Sequence, residues 1–201
     1  MTTTSTNQIT VVDNFLSPYD FILLQKLLFS EDMTWEFGSK VDARNATSKN
    51  LPANDDLANY QFVHVFLAPL DMLKVSPHAD KLNPFMEKLG VESIFRIKAN
   101  LEGWKPKPYY STFHVDNGVP EDTCLARTAN NVFEDRLVSN MTTGIYYLNT
   151  CNGYTEFEDG TIVNSVANRF VSFPGNTLHR GVSQTDTKAR IVINFNYWTN
   201  E

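Results

Sequence analysis

Residues 109–116 read Tyr109-Tyr110-Ser111-Thr112-Phe113-His114-Val115-Asp116, and the rest of the chain is organised around them. The stretch reads as a strand. Alternate side chains of a strand share a face, so Tyr110, Thr112, His114 and Asp116 are expected side by side. One imidazole and one carboxylate presented together make two-thirds of a mononuclear metal site of the two-histidine, one-carboxylate kind, which leaves coordination positions open. The third ligand must come from elsewhere in the chain. A His-x-Asp triplet is short enough to arise by chance as an exposed pair, so its surroundings decide what it means.

Strands surround it on both sides. Before it, residues 94–101 alternate, with Arg96, Lys98 and Asn100 on one face and Phe95, Ile97, Ala99 and Leu101 on the other. After it, a polar run at 117–140 leads to strands predicted at 142–149, 154–158, 167–173 and 188–198. Turn signals separate these: Asn152-Gly153, Asp159-Gly160 and Pro174-Gly175-Asn176. His179 stands just past the last of these turns, at the start of a further strand, and is the candidate third ligand. The final strand places Arg190, Val192, Asn194 and Asn196 on one face. Burying a guanidinium there is costly unless an anion meets it. That anion is either an internal acid such as Asp116 or Glu156, or a small carboxylate ligand that the planar fork grips with two teeth.

The first part of the chain is different in character. Residues 9–16 read as a short strand, and Ser17, Pro18 and Asp20 then supply a cap, a first-turn proline and an approximate capping box. Phe21, Leu24, Leu27 and Leu28 fall on one helical face, so this helix should pack on a sheet and end near Phe29-Ser30. Residues 38–56 are polar and read as a long loop near substrate. A strand is predicted at 60–67, containing a packed His64. A helix over 76–90 follows, with its start at either Ser76-Pro77 or Asn83-Pro84, a solvent-facing His78 and Gly90 as its stop. Helices followed by a run of strands make the fold mainly β (α+β), with helices packed on a sandwich or jelly roll. No repeat or compositional shift marks a second domain. Residues 1–201 therefore read as one domain, with a disordered tail at 1–8, a support region at 9–90 and a β core at 91–199.

The bulk numbers agree with a soluble enzyme-sized domain. The 201 residues are 42% hydrophobic and 20% charged, with 14 Phe and 8 Tyr, and folded chains of this length bury roughly 70% of their surface. The net charge of −6 argues against a nucleic-acid partner. Cys124 and Cys151 form no CxxC pair or disulfide framework. No apolar run approaches the ~20 residues of a membrane helix, and the opening MTTTSTNQ lacks the features of a signal peptide, so a cytoplasmic location is expected.

In chain order, His114-x-Asp116, Gly144-Ile145-Tyr146-Tyr147-Leu148-Asn149, Phe173-Pro174-Gly175, His179 and Arg190 resemble the prolyl 4-hydroxylase-type branch of the iron(II)/2-oxoglutarate oxygenases. The likeness covers roughly residues 95–198, and Val12-Asp13-Asn14-Phe15-Leu16-Ser17 resembles the start of these domains. The resemblance implies a double-stranded β-helix (jelly roll) with supporting N-terminal helices. It implies Fe(II) held by His114, Asp116 and His179, and 2-oxoglutarate whose distal carboxylate meets Arg190 and a hydrogen bond from Tyr147. O2 would be the oxidant, with ascorbate as an optional reductant. The reaction implied is hydroxylation of an unactivated C–H bond, first of a prolyl residue in a peptide or protein, with a free amino acid or other small metabolite as the alternative. A non-catalytic jelly-roll module that binds zinc or no metal is the rival from another class. Alkylated-nucleobase demethylation uses the same iron chemistry, but the acidic balance speaks against it.

Three departures matter. The tyrosine that family members often carry before the HxD is absent from Leu101-Glu102-Gly103-Trp104-Lys105, which leaves Asn100 or Tyr110 for its role. Thr112 and Asn194 join these two as pocket candidates by their strand faces. Asn152-Gly153-Tyr154-Thr155-Glu156-Phe157 stands where Gly-Gly-Glu-Thr-x-Phe is usual. The run at 117–140 is longer than many relatives need and is the candidate substrate lid.

Overall fold

The structure is a computed structural model that describes residues 9–38, 58–68, 74–116 and 140–199. The expected tail at 1–8, nearly all of the 38–56 loop and of the 117–140 run, and Cys124 lie outside the described residues. In chain order the elements begin with β1 (Thr10–Val12), α1 (Pro18–Leu28), β2 (Glu36–Gly38), β3 (Gln61–Ala68) and β4 (Lys74–Val75). A 3-10 turn (Ala79–Leu82) and α2 (Asn83–Leu89) lead into the long β5 (Val91–Gly103). Then come β6 (Thr142–Tyr147), β7 (Tyr154–Phe157), β8 (Ile162–Asn164), β9 (Arg169–Pro174), β10 (His179–Val182) and β11 (Ala189–Thr199).

The caps written in the sequence set the helices. Ser17 Oγ accepts from the Asp20 amide at 3.2 Å, and Pro18 opens α1 without wasting a donor. Both proline signals in 76–90 are used. Ser76 Oγ accepts from the His78 amide at 3.1 Å before the 3-10 turn, and Pro84 then sits in the first turn of α2. The predicted single helix is therefore two pieces, because a proline inside it would forfeit a hydrogen bond and clash with the preceding turn. Gly90 ends α2 at φ 60°, in the left-handed region that glycine enters freely.

The strands form two antiparallel sheets. The larger has eight strands in the order β1-β9-β6-β11-β5-β3-β2, with β4 paired to β3. The smaller runs β10-β7-β8. On the helix side of the large sheet, Ile191, Ile193, Phe195 and Tyr197 of β11 join Ile97 and Ala99 of β5, Tyr146, Phe170 and the apolar faces of α1 and α2 in one core. Phe85 of α2 is fully buried there between Tyr146 (ring centroids 4.8 Å apart) and Phe195 (4.7 Å). Burial of such a ring contributes about 1.5–3 kcal/mol. A smaller cluster of Ile145, Tyr147, Phe157, Val163, Val171, Phe173 and Val192 fills one part of the space between the sheets. The period of two sends the alternate residues of β5 and β11 toward the small sheet, and those residues are polar. His64 of β3 is packed as expected, with Nδ1 on Thr34 O and Nε2 on Ser76 Oγ, both at 2.8 Å.

One expectation fails here. Residues 109–116 form no continuous strand, only isolated bridges at Tyr110↔Val182 and His114↔His179. Ser111 and Gly181 pair in the same register as Tyr110↔Val182, since the Ser111 amide donates to Gly181 O at 3.0 Å and the Gly181 amide to Ser111 Oγ at 3.0 Å. Between that pair and His114↔His179 the chain carries one extra residue, so Thr112 and Phe113 together oppose Arg180. This is a β-bulge.

Candidate metal centre and its cavity

The bulge decides which side chains face inward. Directly opposed residues of an antiparallel pair share a face. His114 therefore shares the inner face with buried His179, and Ser111 shares it with Gly181. Ser111, His114, Asp116, His179 and Gly181 line one wall of a cavity of ≈ 80 Å³ between the two sheets. Tyr110 and Thr112, expected beside His114, are exposed and do not line it. The inserted residue breaks the alternation on which that expectation stood.

The ligand atoms of His114, Asp116 and His179 lie within 4.8 Å of one another. Each imidazole is oriented by its other nitrogen: His114 Nδ1 donates to Thr112 O at 2.8 Å, and His179 Nδ1 to Thr177 O at 3.0 Å. A carbonyl can only accept, so the proton sits on Nδ1 and Nε2 carries the lone pair. Both Nε2 atoms face Asp116 Oδ1, at 3.7 Å from His114 and 3.8 Å from His179. Those separations are too long for hydrogen bonds, and one ion with bonds of about 2.0–2.2 Å would bridge them. The other carboxylate oxygen, Oδ2, accepts from Asn196 Nδ2 at 3.3 Å, while Arg96 Nη2 holds the Asp116 carbonyl at 3.2 Å. Burial alone would raise the Asp116 carboxyl, but the His114 and His179 imidazoles beside it and the Arg96 guanidinium overcome it and hold the group well below the ordinary carboxylate range. Burial pushes the His179 imidazole down, against the pull of Asp116. An ionised carboxylate and a neutral imidazole are the forms that bind a metal. Two imidazoles and one carboxylate suit non-haem iron(II).

The opposite wall comes from the large sheet. Across β5 and β11, Arg190 opposes Glu102, Val192 opposes Asn100, Asn194 opposes Lys98 and Asn196 opposes Arg96. Arg190, Val192 and Asn194 line the cavity in that order along β11, and Asn196 follows, holding Asp116. Arg190 is 3% exposed, donates from Nε to Ser165 Oγ at 2.8 Å and from Nη1 to Glu102 Oε1 at 3.4 Å. Its internal acid is thus Glu102, not Asp116 or Glu156; the latter is taken by Arg180 at 2.8 Å. Asn100 and Asn194 line the cavity as expected, each with a buried Oδ1 that has no hydrogen-bond partner among the described residues. Tyr147 lies behind the wall. Its hydroxyl donates to Thr155 Oγ1 at 2.7 Å, its ring is 5.7 Å from the Arg190 guanidinium, and burial pushes its pKa up to about 12. Thr155 faces the cavity in its place.

Sequence reasoning missed Glu102, Lys98, Gln61, Ser111 and Thr155 as lining residues. The signal for Glu102 was present, since the alternation of Arg96, Lys98 and Asn100 continues to it. Among the described residues, no helix is long and apolar enough to cross a membrane.

No family model and no curated protein matches the chain. Solved structures do. A prolyl hydroxylase from Trichoplax adhaerens, in complex with a hypoxia inducible factor oxygen degradation domain peptide fragment, matches with TM-score 0.58 and 14% identity over 96% of this chain and 84% of that one. A non-haem α-ketoglutarate-dependent carbocyclase from nogalamycin biosynthesis matches with TM-score 0.62 and 11% identity, covering 96% of this chain and 80% of that one. An oxidoreductase of the 2OG-Fe(II) oxygenase family from Burkholderia pseudomallei matches with TM-score 0.56 and 10% identity over 94% and 84%. At such identities the likeness is one of architecture: this chain has the jelly-roll fold of the 2-oxoglutarate/iron(II) oxygenases.

Proposed function

We propose that this protein is an iron(II)- and 2-oxoglutarate-dependent oxygenase that hydroxylates an unactivated C–H bond. One observation carries the reading: the Nε2 atoms of His114 and His179 and the Asp116 carboxylate converge in the same cavity as the buried fork of Arg190. His114, Asp116 and His179 would hold the iron. When bound, the iron supplies the chemistry by which O2 oxidises 2-oxoglutarate to succinate and CO2 and oxygen enters a C–H bond. The chain's own work is positioning and exclusion of water. Thr112 and Thr177 carbonyls fix the imidazole tautomers, and Asn196 holds one carboxylate oxygen so that the other faces the histidines. Arg190 receives the cosubstrate's distal carboxylate. Tyr147 stands behind it through Thr155, and Asn100 and Asn194 offer amides along the path between Arg190 and the ligands.

For the substrate, a prolyl residue in a peptide is the first choice, supported by the ordered motifs of the chain and by the likeness to a prolyl hydroxylase that binds a peptide. A free amino acid or small metabolite is the second.

Purified protein given Fe(II), ascorbate and 2-oxoglutarate should release succinate slowly without substrate. Arg190→Ala should lose 2-oxoglutarate affinity and keep metal affinity, whereas His179→Ala should lose the metal. Absence of succinate together with absence of calorimetric 2-oxoglutarate binding would refute the oxygenase and leave a metal-binding jelly-roll module.

A further inference from the structure

Arg180 stands between the inward residues His179 and Gly181 of β10, so the alternation of the strand turns it to the outer face, and it does not line the cavity. There it meets the segment that carries His114. Its guanidinium carbon lies 4.5 Å from the centroid of the Phe113 ring and 5.0 Å from that of Tyr110. From the other side β7 anchors it. Glu156 is its directly opposed neighbour, and Glu156 Oε2 lies 2.8 Å from both Nε and Nη2 of the guanidinium. Both side chains of this pair are mostly buried, with 25% of Arg180 and 21% of Glu156 exposed, which leaves the fork little freedom to swing off the rings.

The two ring contacts differ in what they depend on. Tyr110 lies before the inserted residue and pairs with Val182, so it faces outward with or without the bulge. Phe113 does not. In an unbulged pairing it would oppose His179 on the inner face and send His114 outward; with the extra residue it faces Arg180, and His114 opposes His179. A cation held over an aromatic face favours the state that contains it by a factor of about two to five at an exposed site, and by more where water is excluded. The contact between Arg180 and Phe113 therefore favours the one register that brings His114 to the cavity wall.

We propose that Arg180 is a positioning residue for the metal centre: anchored by Glu156, it keeps the Phe113 ring outside and thereby holds His114 in the inner register. It acts through Phe113, from the face of the small sheet that is turned away from the cavity. This rests on the reading of His114, Asp116 and His179 as metal ligands. The apparent affinity of a ligand falls with the fraction of the protein in the competent state, so a loosened clamp reads out as weaker metal binding. The ligand lost is His114 in particular, because Asp116 is held by Asn196 and His179 by Thr177 O.

The test reads affinity and ligand count together. The full chain is titrated with Co(II) by calorimetry, and pulsed EPR of the Cu(II)-loaded protein counts the imidazoles on the metal. Arg180→Met keeps an apolar stem and removes the cation from both rings; it should weaken Co(II) binding about tenfold and take the count from two imidazoles toward one. Arg180→Lys keeps a cation over the rings and should stay within about threefold of wild type with both imidazoles bound, a rescue that a merely structural role does not produce. Should Arg180→Met fail to fold, Phe113→Leu removes the ring and leaves an apolar side chain; it should lower affinity about two- to fivefold with the same loss of one imidazole. Wild-type Co(II) affinity in folded R180M or F113L, or weakened binding that keeps both imidazoles, overturns the proposal. Wild-type protein that binds no Co(II), or binds Cu(II) without imidazole, overturns the metal-site reading instead, so the two failures are distinguishable.

Discussion

Gly153 gives the sharpest test of how Arg190 is held, because one added methyl group acts on it directly. A Cβ at this position would lie 2.9 Å from Arg190 Cδ, 2.9 Å from Val182 O and 3.2 Å from Arg190 Nε. The side-chain contact can relax by moving the arginine. The contact with Val182 O cannot, because Val182 is tied to Tyr154 in the β10–β7 ladder and bridged to Tyr110. Relief therefore comes from prising β7 from β10, from shifting Arg190 off Ser165 Oγ at 2.8 Å, or from both. Overpacking of this kind costs about 1–3 kcal/mol. In a chain of this size each kcal/mol lowers Tm by about 2–4 °C, so Gly153→Ala should melt roughly 2–12 °C below wild type. If about 1.4 kcal/mol of the strain falls on the arginine, 2-oxoglutarate affinity drops about tenfold. The metal ligands do not touch Gly153, and metal affinity should stay within a factor of a few. Scanning calorimetry and 2-oxoglutarate titration of the same preparation read both effects. A Gly153→Ala protein with wild-type Tm and wild-type 2-oxoglutarate affinity would refute the packing argument.

Asn196→Ala removes the buried amide that fixes Asp116 Oδ2 at 3.3 Å and also contacts Thr143 Oγ1; Co(II) titration should show metal affinity reduced about 10- to 100-fold, with the fold retained by circular dichroism. Stability of the metal-free protein should be full above about pH 6.5 and decline below it. Burial depresses the folded-state pKa of both His64 and His179 below the ordinary 6.5, so the unfolded chain takes up protons first as pH falls. Each histidine then lowers unfolding free energy by at most about 1.4 kcal/mol per pH unit. Urea melts of wild type and His64→Gln should differ in slope below pH 6.5 and run parallel above it; parallel curves throughout would refute the assignment to His64.

Long-range pattern was legible in the sequence wherever a period of two ran unbroken. Residues 188–198 and 94–101 declared their faces, and the structure pairs those polar faces residue for residue, Arg190 with Glu102 through Asn196 with Arg96. The caps at Ser17 and Gly90 likewise act where they stand. The short strands β2, β4 and β8 were not legible, because two or three residues carry no period and are made strands only by their neighbours. Nor was the partner of Arg190. Asp116 and Glu156 were as reasonable as Glu102 until the β5–β11 register was known.

The bulge at Thr112-Phe113 shows why His114 and Asp116 reach the cavity wall while Tyr110 and Thr112, expected beside them, do not. Continued in the register of Ser111↔Gly181, the pairing would set Phe113 opposite His179 and turn His114 toward the outer face. The extra residue brings His114 opposite His179 on the cavity wall, and Ser111 remains inward on the other side of it. No glycine marks the insertion. What secures it lies on the partner strand, where the guanidinium of Arg180 is 4.5 Å from the centroid of the Phe113 ring and 5.0 Å from that of Tyr110. The two aromatic side chains that alternation would have divided between the faces thus meet one cation on the outside, and the inner face is left to the two imidazoles and the carboxylate.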